Sequence, residues 1–258
     1  MTGFIAAWST ESLKLRRSIV ARLITPLLVV VVPLAAVGAV ALARQPELPG
    51  AAATKFAPYA AGDLATAQLL VAGQILSVAV LIAGGFAAAW CYGREFAGGT
   101  AGALAGLSVS LRTIAVAKAA LLAAWLSACA VAAVGVTVVL SVATGGRLAG
   151  GIWHQAGIAV AAGILAVALV LPFGWVATIT RSQLGTIGVL TAVVAVTQIV
   201  VVLGAGSWLP YAVPSLLTGM GGAEVTSEIG PGSLLVTAVL APIGLVAVAV
   251  QWRRLDDV

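Results

Sequence analysis

Residues 64–93 read LATAQLLVAGQILSVAVLIAGGFAAAWCYG, thirty residues without one Asp, Glu, Lys or Arg. About 20 apolar residues suffice to cross the roughly 30 Å hydrocarbon core of a bilayer. An ion at its centre costs about 2.5 to 3.5 kcal/mol even on lenient insertion scales. A run this long is a membrane span, and the gaps between ions locate the others: 23–43, 119–146, 148–180, 182–223 and 229–252. The next longest gap, 96–111, has 16 residues with four glycines and two serines, and reads as a loop with at most a short helix. The expectation is an all-α integral membrane protein with six transmembrane helices, at about 20–43, 64–90, 115–142, 157–179, 183–203 and 233–252, in a single domain over 1–258.

Composition agrees. The 258 residues are 62% hydrophobic and 8% charged, against about 25% charged in a soluble domain, and the mean hydropathy is +1.16. Disordered tails and nucleic-acid-binding domains both need dense charge, so no nucleic-acid partner is expected. With both termini cytoplasmic, Lys14, Arg16, Arg17, Arg22, Arg94, Arg112, Lys118, Arg181, Arg253 and Arg254 lie inside, and Arg44, Lys55 and Arg147 outside. That distribution obeys the positive-inside rule, and it explains the net charge of +5 through topology and contact with membrane lipid. Trp8, Trp90, Tyr92 and Trp252 fall near the inner interface, and Tyr59, Trp153, Trp208 and Tyr211 near the outer one, as an aromatic belt.

Ahead of the first span, Phe4, Ile5, Trp8, Ser12, Leu15 and Ile19 share about a third of a helical wheel, while Lys14, Arg16 and Arg17 lie off that stripe. Residues 1–18 therefore read as an amphipathic interfacial (elbow) helix. A cleavable signal sequence ending near Ala39-Val40-Ala41 is disfavoured, because the apolar run before it exceeds the usual 7 to 15 residues. Cys91 and Cys129 fall at different depths and suggest neither a disulfide nor a metal site. No interval between spans holds a soluble domain. The Gly- and Pro-rich stretch from about 204 to 232 reads as a re-entrant or interfacial helix around 215–220, or as an ordered loop with aromatic anchors.

The chemistry these residues exclude is informative. A phosphate-binding P-loop ends in Gly-Lys-Ser or Gly-Lys-Thr, whereas the three lysines follow Leu13, Thr54 and Ala117. Ion-driven carriers bury an Asp, Glu, Arg or His within a span as a relay, and no span here contains an ionised residue. The run Gly106-Leu107-Ser108-Val109-Ser110 approaches a nucleophile elbow. Its only candidate base, His154, falls on the opposite side of the membrane, so no catalytic residue is assigned. Movement in this protein is expected to be powered from outside its own chain.

The segment 91–118, CYGREFAGGTAGALAGLSVSLRTIAVAK, is the most informative. Arg94 and Glu95 stand at the membrane edge, Gly98, Gly102 and Gly106 recur every four residues, and Arg112 and Lys118 mark the return. Either this is a solvated connection, or the glycines bare one face of a short helix for close approach of another backbone.

In two stretches the chain resembles the membrane permeases of ABC-2 type ATP-binding-cassette exporters of bacteria. Glu11-Ser12-Leu13-Lys14-Leu15-Arg16-Arg17-Ser18 is similar to that family's Glu-x-x-Lys-x-Arg-Arg-Ser start, and Glu95, Gly99-Thr100, Val109-Ser110, Arg112 and Lys118 resemble its segment between spans two and three. Ser108 and Leu111 depart from the family's frequent Pro-Val-Ser-Arg. The resemblance implies a multi-pass permease of the bacterial plasma membrane, paired as a homodimer, with a separate ABC ATPase subunit docked on 91–113. It places ATP and Mg on the partner and no cofactor or metal in this chain. Arg94, Glu95, Gly99, Thr100 and Arg112 would then form the ATPase-docking site, with Lys118 fixing the re-entry into span three.

The resemblance also places spans two and five at the central interface. There Gln74 and Ser77 share one face of a helix, as do Thr191 and Gln198, and these four are the candidate substrate path. The alternative is that they bond only their own or neighbouring backbones. So apolar a path suits a hydrophobic or amphipathic cargo such as a drug, an antibiotic peptide or a lipid. Two other readings stay open: a stand-alone six-helix carrier or channel, and a non-transporting structural or sensory membrane subunit.

Overall fold

The computed structural model describes residues 2–45, 59–60, 62–99, 109–148, 150–220 and 222–256. Among them no strand occurs, and six helices are long and apolar enough to cross a membrane: span 1 (Ile19–Ala43), span 2 (Leu64–Ala97), span 3 (Leu111–Ala143), span 4 (Gly150–Thr180), span 5 (Gln183–Val202) and span 6 (Pro231–Leu255). The helix Thr2–Arg17, labelled α1, precedes them. The expected all-α, six-span architecture is therefore the observed one.

Side-chain caps set where four of the spans begin. Ser18, Asp63, Ser110 and Ser182 each hold an extended backbone and accept a hydrogen bond from the amide three residues on, satisfying a donor that the first turn leaves open. The bonds to the Asp63 carboxylate from the Thr66 amide and hydroxyl hold that carboxyl below its ordinary value. Its contribution is therefore complete above about pH 4 and is lost only as the pH falls below that range.

Spans 2 and 3 run beyond the limits expected from charge. Span 2 continues through Arg94 and Glu95 to Ala97 rather than ending at 90, and span 3 begins at Leu111 with Arg112 and Lys118 in its first turns. The 34 residues of span 2 reach about 51 Å at 1.5 Å per residue, far more than the apolar core requires. Charge did not stop these helices because Glu95 and Lys118 are compensated inside the fold, as described below. The chain then turns at Gly98 and Gly99, and Gly99 takes a left-handed φ of 65° that a side chain would strain. Thr100 and the glycines 102 and 106 lie outside the described residues.

Spans 1 and 4 are interrupted. Pro26, which has no amide hydrogen to donate, precedes a π turn at Leu27–Val31. Beyond it, Ala36 and Val40 pack against Ala67, Val71 and Ala72 of span 2. Before it, Trp125 Nε1 of span 3 donates to Thr25 Oγ1 at 3.1 Å, and span 3 packs along the π turn and the helix that follows it. Span 4 breaks at Leu171, where Pro172 starts its last helical section, Pro172–Thr180. Between spans 5 and 6 the short helix Val213–Leu217 is buried against spans 2 and 4.

Candidate functional site

The first turns of span 3 carry α1 alongside them. The α1 face formed by Ala7, Glu11, Leu15 and Ser18 is buried. Near its start Gly3 sits within van der Waals reach of Val109, and eight residues later Glu11 meets Lys118. Both helices therefore run the same way past one another.

Where α1, span 2 and span 3 meet, four ions gather. Lys118 Nζ donates to Glu11 Oε2 at 2.6 Å, to Glu95 Oε1 at 2.9 Å and to the Cys91 carbonyl at 3.3 Å. Lys14 Nζ lies 2.6 Å from Glu11 Oε1 and 3.4 Å from Glu95 Oε1. Glu11, Glu95 and Lys118 are only 6%, 3% and 2% exposed. Arg94 stands at the rim, with its Nε 3.9 Å from Glu95 and its guanidinium 4.5 Å from the centre of the Trp90 ring.

Two carboxylates thus face two buried or half-buried ammonium groups. Taking one such ion alone out of water costs several kcal/mol on the order-of-magnitude scale, and pairing offsets that cost only while every partner stays in place. If Glu11 leaves, Lys118 and Lys14 share the one remaining carboxylate of Glu95. The cluster therefore pins α1 to the ends of spans 2 and 3, next to the turn at Gly98–Gly99. It is suited to carrying displacement between helices.

A second lock joins these ends to the other spans. Tyr92 donates its hydroxyl to the Ala115 carbonyl at 2.8 Å, and Trp252 Nε1 donates to Thr178 Oγ1 at 2.9 Å. The two rings meet edge to face with centroids 5.9 Å apart. Tyr92 and Trp252 are buried, so they are core residues and not the lipid-facing belt expected of them. Tyr92 fills the space left by Gly174, whose absent Cβ would stand 2.7 Å from Tyr92 Cε2.

The docking residues expected from sequence divide. Glu95 enters the cluster and Arg94 borders it, whereas Arg112 and Gly99 are exposed nearby and touch neither carboxylate. Glu11 and Lys14 were missed as site residues, and Lys118 was read as an anchor. The signal lay in Glu11 itself, an acid at i+4 from Ala7 and i−4 from Leu15 on an otherwise apolar stripe.

The substrate-path residues also divide. Ser77 and Gln198 line one small cavity of about 20 Å³ with Thr197, Tyr211 and Ser215, room for a single water. Burial pushes the Tyr211 hydroxyl up to about 12, so it stays a donor. Gln74 faces a different cavity of about 660 Å³ with Gln155 and Thr226. Its amide is already engaged, accepting from Tyr59 at 2.9 Å and donating to the Thr218 carbonyl at 3.1 Å. Thr191 is exposed and, among the described residues, bonds the Ile187 carbonyl of its own helix. Among the described residues no group of three or more His, Cys, Asp or Glu could hold a metal ion.

Compared with protein-family models, residues 7–198 match the one described as "ABC-2 family transporter protein". That range contains α1 from Ala7 on, the ion cluster and spans 1 to 4 entire, and it ends within span 5. No curated protein and no solved structure matches the chain.

Proposed function

We propose, since this chain belongs to the ABC-2 family of transporter proteins, that it is the permease of an exporter for hydrophobic or amphipathic cargo, moved by a separate ABC ATPase docked beside residues 94–112. The observation that carries this reading is the buried cluster of Glu11, Glu95, Lys118 and Lys14, which ties three helices together next to the turn where a partner has access. A partner that displaced the turn at Gly98 and Gly99 would move α1, and with it span 1, through the Glu11–Lys118 pair. The same displacement would reach spans 4 and 6 through Tyr92, Trp252 and Thr178. Such a two-state tilt needs contacts that persist in both states, and paired buried ions supply them.

A second copy of the chain is the natural cover for span 5. Gly188, Thr191, Ala192, Ala195, Gln198, Ile199 and Val202 are exposed on it. Small residues four apart, as at 188 and 192, let membrane helices approach closely, and Thr191 and Gln198 would gain partners across the pair. The cavity bearing Ser77 and Gln198 adjoins that face, so cargo would pass between two chains. The apolar lining of the spans supports a greasy cargo over a sugar or an ion.

The test is purification in gentle detergent followed by reconstitution. The expected result is an ATPase subunit that co-purifies with the chain, and transport that requires both proteins and ATP hydrolysis. Transport by the chain alone in liposomes would overturn the reading in favour of a stand-alone carrier.

A further inference from the structure

A cavity of about 660 Å³ opens where the short helix Val213–Leu217 and the turn after it meet spans 2 and 4. That volume lies within the roughly 300–1,000 Å³ of small-molecule sites. Leu70, Ile158 and Leu217 give the cavity an apolar wall, Tyr59, Gln74, Gln155, Thr226 and Ser227 give it a polar one, and no Asp, Glu, Lys or Arg stands among its described lining residues.

Gln74 lies 10 residues past Leu64, the first residue of span 2, which puts it about 15 Å along the helix, halfway through a roughly 30 Å apolar core. It is 5% exposed. The Tyr59 hydroxyl donates to its Oε1, and its Nε2 donates to the Thr218 carbonyl, so the amide is fixed in place. One N–H and one lone pair of that amide take no partner among the described residues, and the half-buried Gln155 side chain has no partner at all among them. Polar groups at membrane depth are ordinarily satisfied within the protein, so unused capacity beside a cavity points to a ligand.

The hydroxyl groups narrow its chemistry. Tyr59 spends its hydrogen on Gln74, Thr226 on the Leu216 or Gly222 carbonyl, and Ser227 on the Glu224 carbonyl. Toward the cavity these three oxygens can only accept, whereas the two amides can donate and accept. An anionic head would face three oxygens that offer it no hydrogen, and a cationic head would leave water with no carboxylate to answer it. A hydroxyl, which donates and accepts, suits both sets of groups.

We propose that this cavity binds an uncharged amphiphile with a hydroxylated head, the head held by Gln74, Gln155 and the three hydroxyl groups and the tail lying along Leu70, Ile158 and Leu217. The site is separate from the small cavity at Ser77 and Gln198, and it stands whether or not an ATPase drives the chain. Cargo and resident lipid share this head chemistry, and the complex with the ATPase tells them apart.

The full chain in phosphatidylcholine nanodiscs is photolabelled with three probes that carry the same diazirine-tipped 12-carbon chain: a monoacylglycerol, an alkyl sulfate and an alkyltrimethylammonium. Mass spectrometry maps the labelled residues. The monoacylglycerol is expected to label the cavity wall about fivefold or more above either charged probe, and to be displaced by unlabelled monoacylglycerol. Gln155→Ala should cut that labelling about fivefold, the share of one hydrogen bond, without disturbing a bond within the described fold. Ile158→Trp fills the cavity and should abolish the labelling; if it does not fold, Ser227→Trp blocks the same cavity from an exposed position. Equal labelling by all three probes overturns the proposal, as does undiminished labelling in Gln155→Ala or in a folded cavity-filling variant. A disulfide joining two chains through Ile158→Cys would overturn it in favour of a second copy. In the assembled complex, monoacylglycerol that stimulates ATP hydrolysis in wild type and not in Gln155→Ala identifies the ligand as cargo, and labelling without stimulation identifies it as resident lipid. Failure of this experiment leaves the ATPase-driven reading intact, since co-purification and transport test that separately.

Discussion

Replacing Lys118 by methionine is expected to destabilise the protein by about 3–5 kcal/mol, the typical cost of removing one partner from a buried ion pair. The ammonium group reaches Glu11 at 2.6 Å and Glu95 at 2.9 Å, and in its absence both carboxylates stay buried with less than the charge they need. Lys14, the remaining cation within 3.4 Å of both, is half-buried and cannot take the central position. Against a total stability of about 5–15 kcal/mol, a loss of this size dominates the unfolding midpoint in detergent. The triple variant Glu11→Gln, Glu95→Gln, Lys118→Met removes the three buried charges together, leaves only the half-buried Lys14, which can turn to water, and should recover most of that loss, because buried pairs replaced as a set are often nearly neutral. Recovered stability without recovered ATP-driven transport is the expected combination for a cluster that transmits movement. A Lys118→Met protein as stable as wild type would show that the ions do not hold α1.

Substitution of Gly244 by leucine should be the most damaging change within the apolar core. A Cβ on Gly244 would stand 2.6 Å from the Pro172 nitrogen, 2.8 Å from Pro172 Cα and 3.0 Å from the Leu171 carbonyl carbon. All three are backbone atoms at the break in span 4, so no side chain can rotate away. Overpacking of a close-packed interior costs about 1–3 kcal/mol when neighbours can adjust, and here spans 4 and 6 must separate. The loss should exceed that range for leucine and fall within it for alanine. Gly135, with nothing within 4 Å of its would-be Cβ, supplies the contrast: Gly135→Ala should be neutral or stabilise by about 0.5–1 kcal/mol. Thermal unfolding of the three variants compares them directly.

The membrane architecture was legible because one physical cost governs it. Wherever 20 or more residues carried no ion, as in 64–93, a span was found, and Asp63, Ser110 and Ser182 stood where caps belong. What charge could not locate was the end of a helix whose ions are neutralised by a partner distant in sequence. Glu95 and Lys118 are 23 residues apart, and Glu11 and Lys118 are 107 apart. No local pattern reveals such pairing. Tyr92 and Trp252 were misread for the same reason: an aromatic near the interface looks alike in sequence whether it faces lipid or another helix. Within the candidate path, Gln74 and Ser77 share a helix face yet serve different cavities, because the short helix Val213–Leu217 and Thr218 fold in between spans 2 and 4.

The central claim is that an ATPase acts on the turn between spans 2 and 3, and cross-linking tests it most directly. Both native cysteines, Cys91 and Cys129, are buried, so the exposed Gly98→Cys and Trp208→Cys variants provide single reactive thiols at opposite ends of the spans. In the assembled, ATP-hydrolysing complex, Gly98→Cys is expected to cross-link to the ATPase subunit, and Trp208→Cys is not. Cross-linking from Trp208→Cys with none from Gly98→Cys would contradict the account.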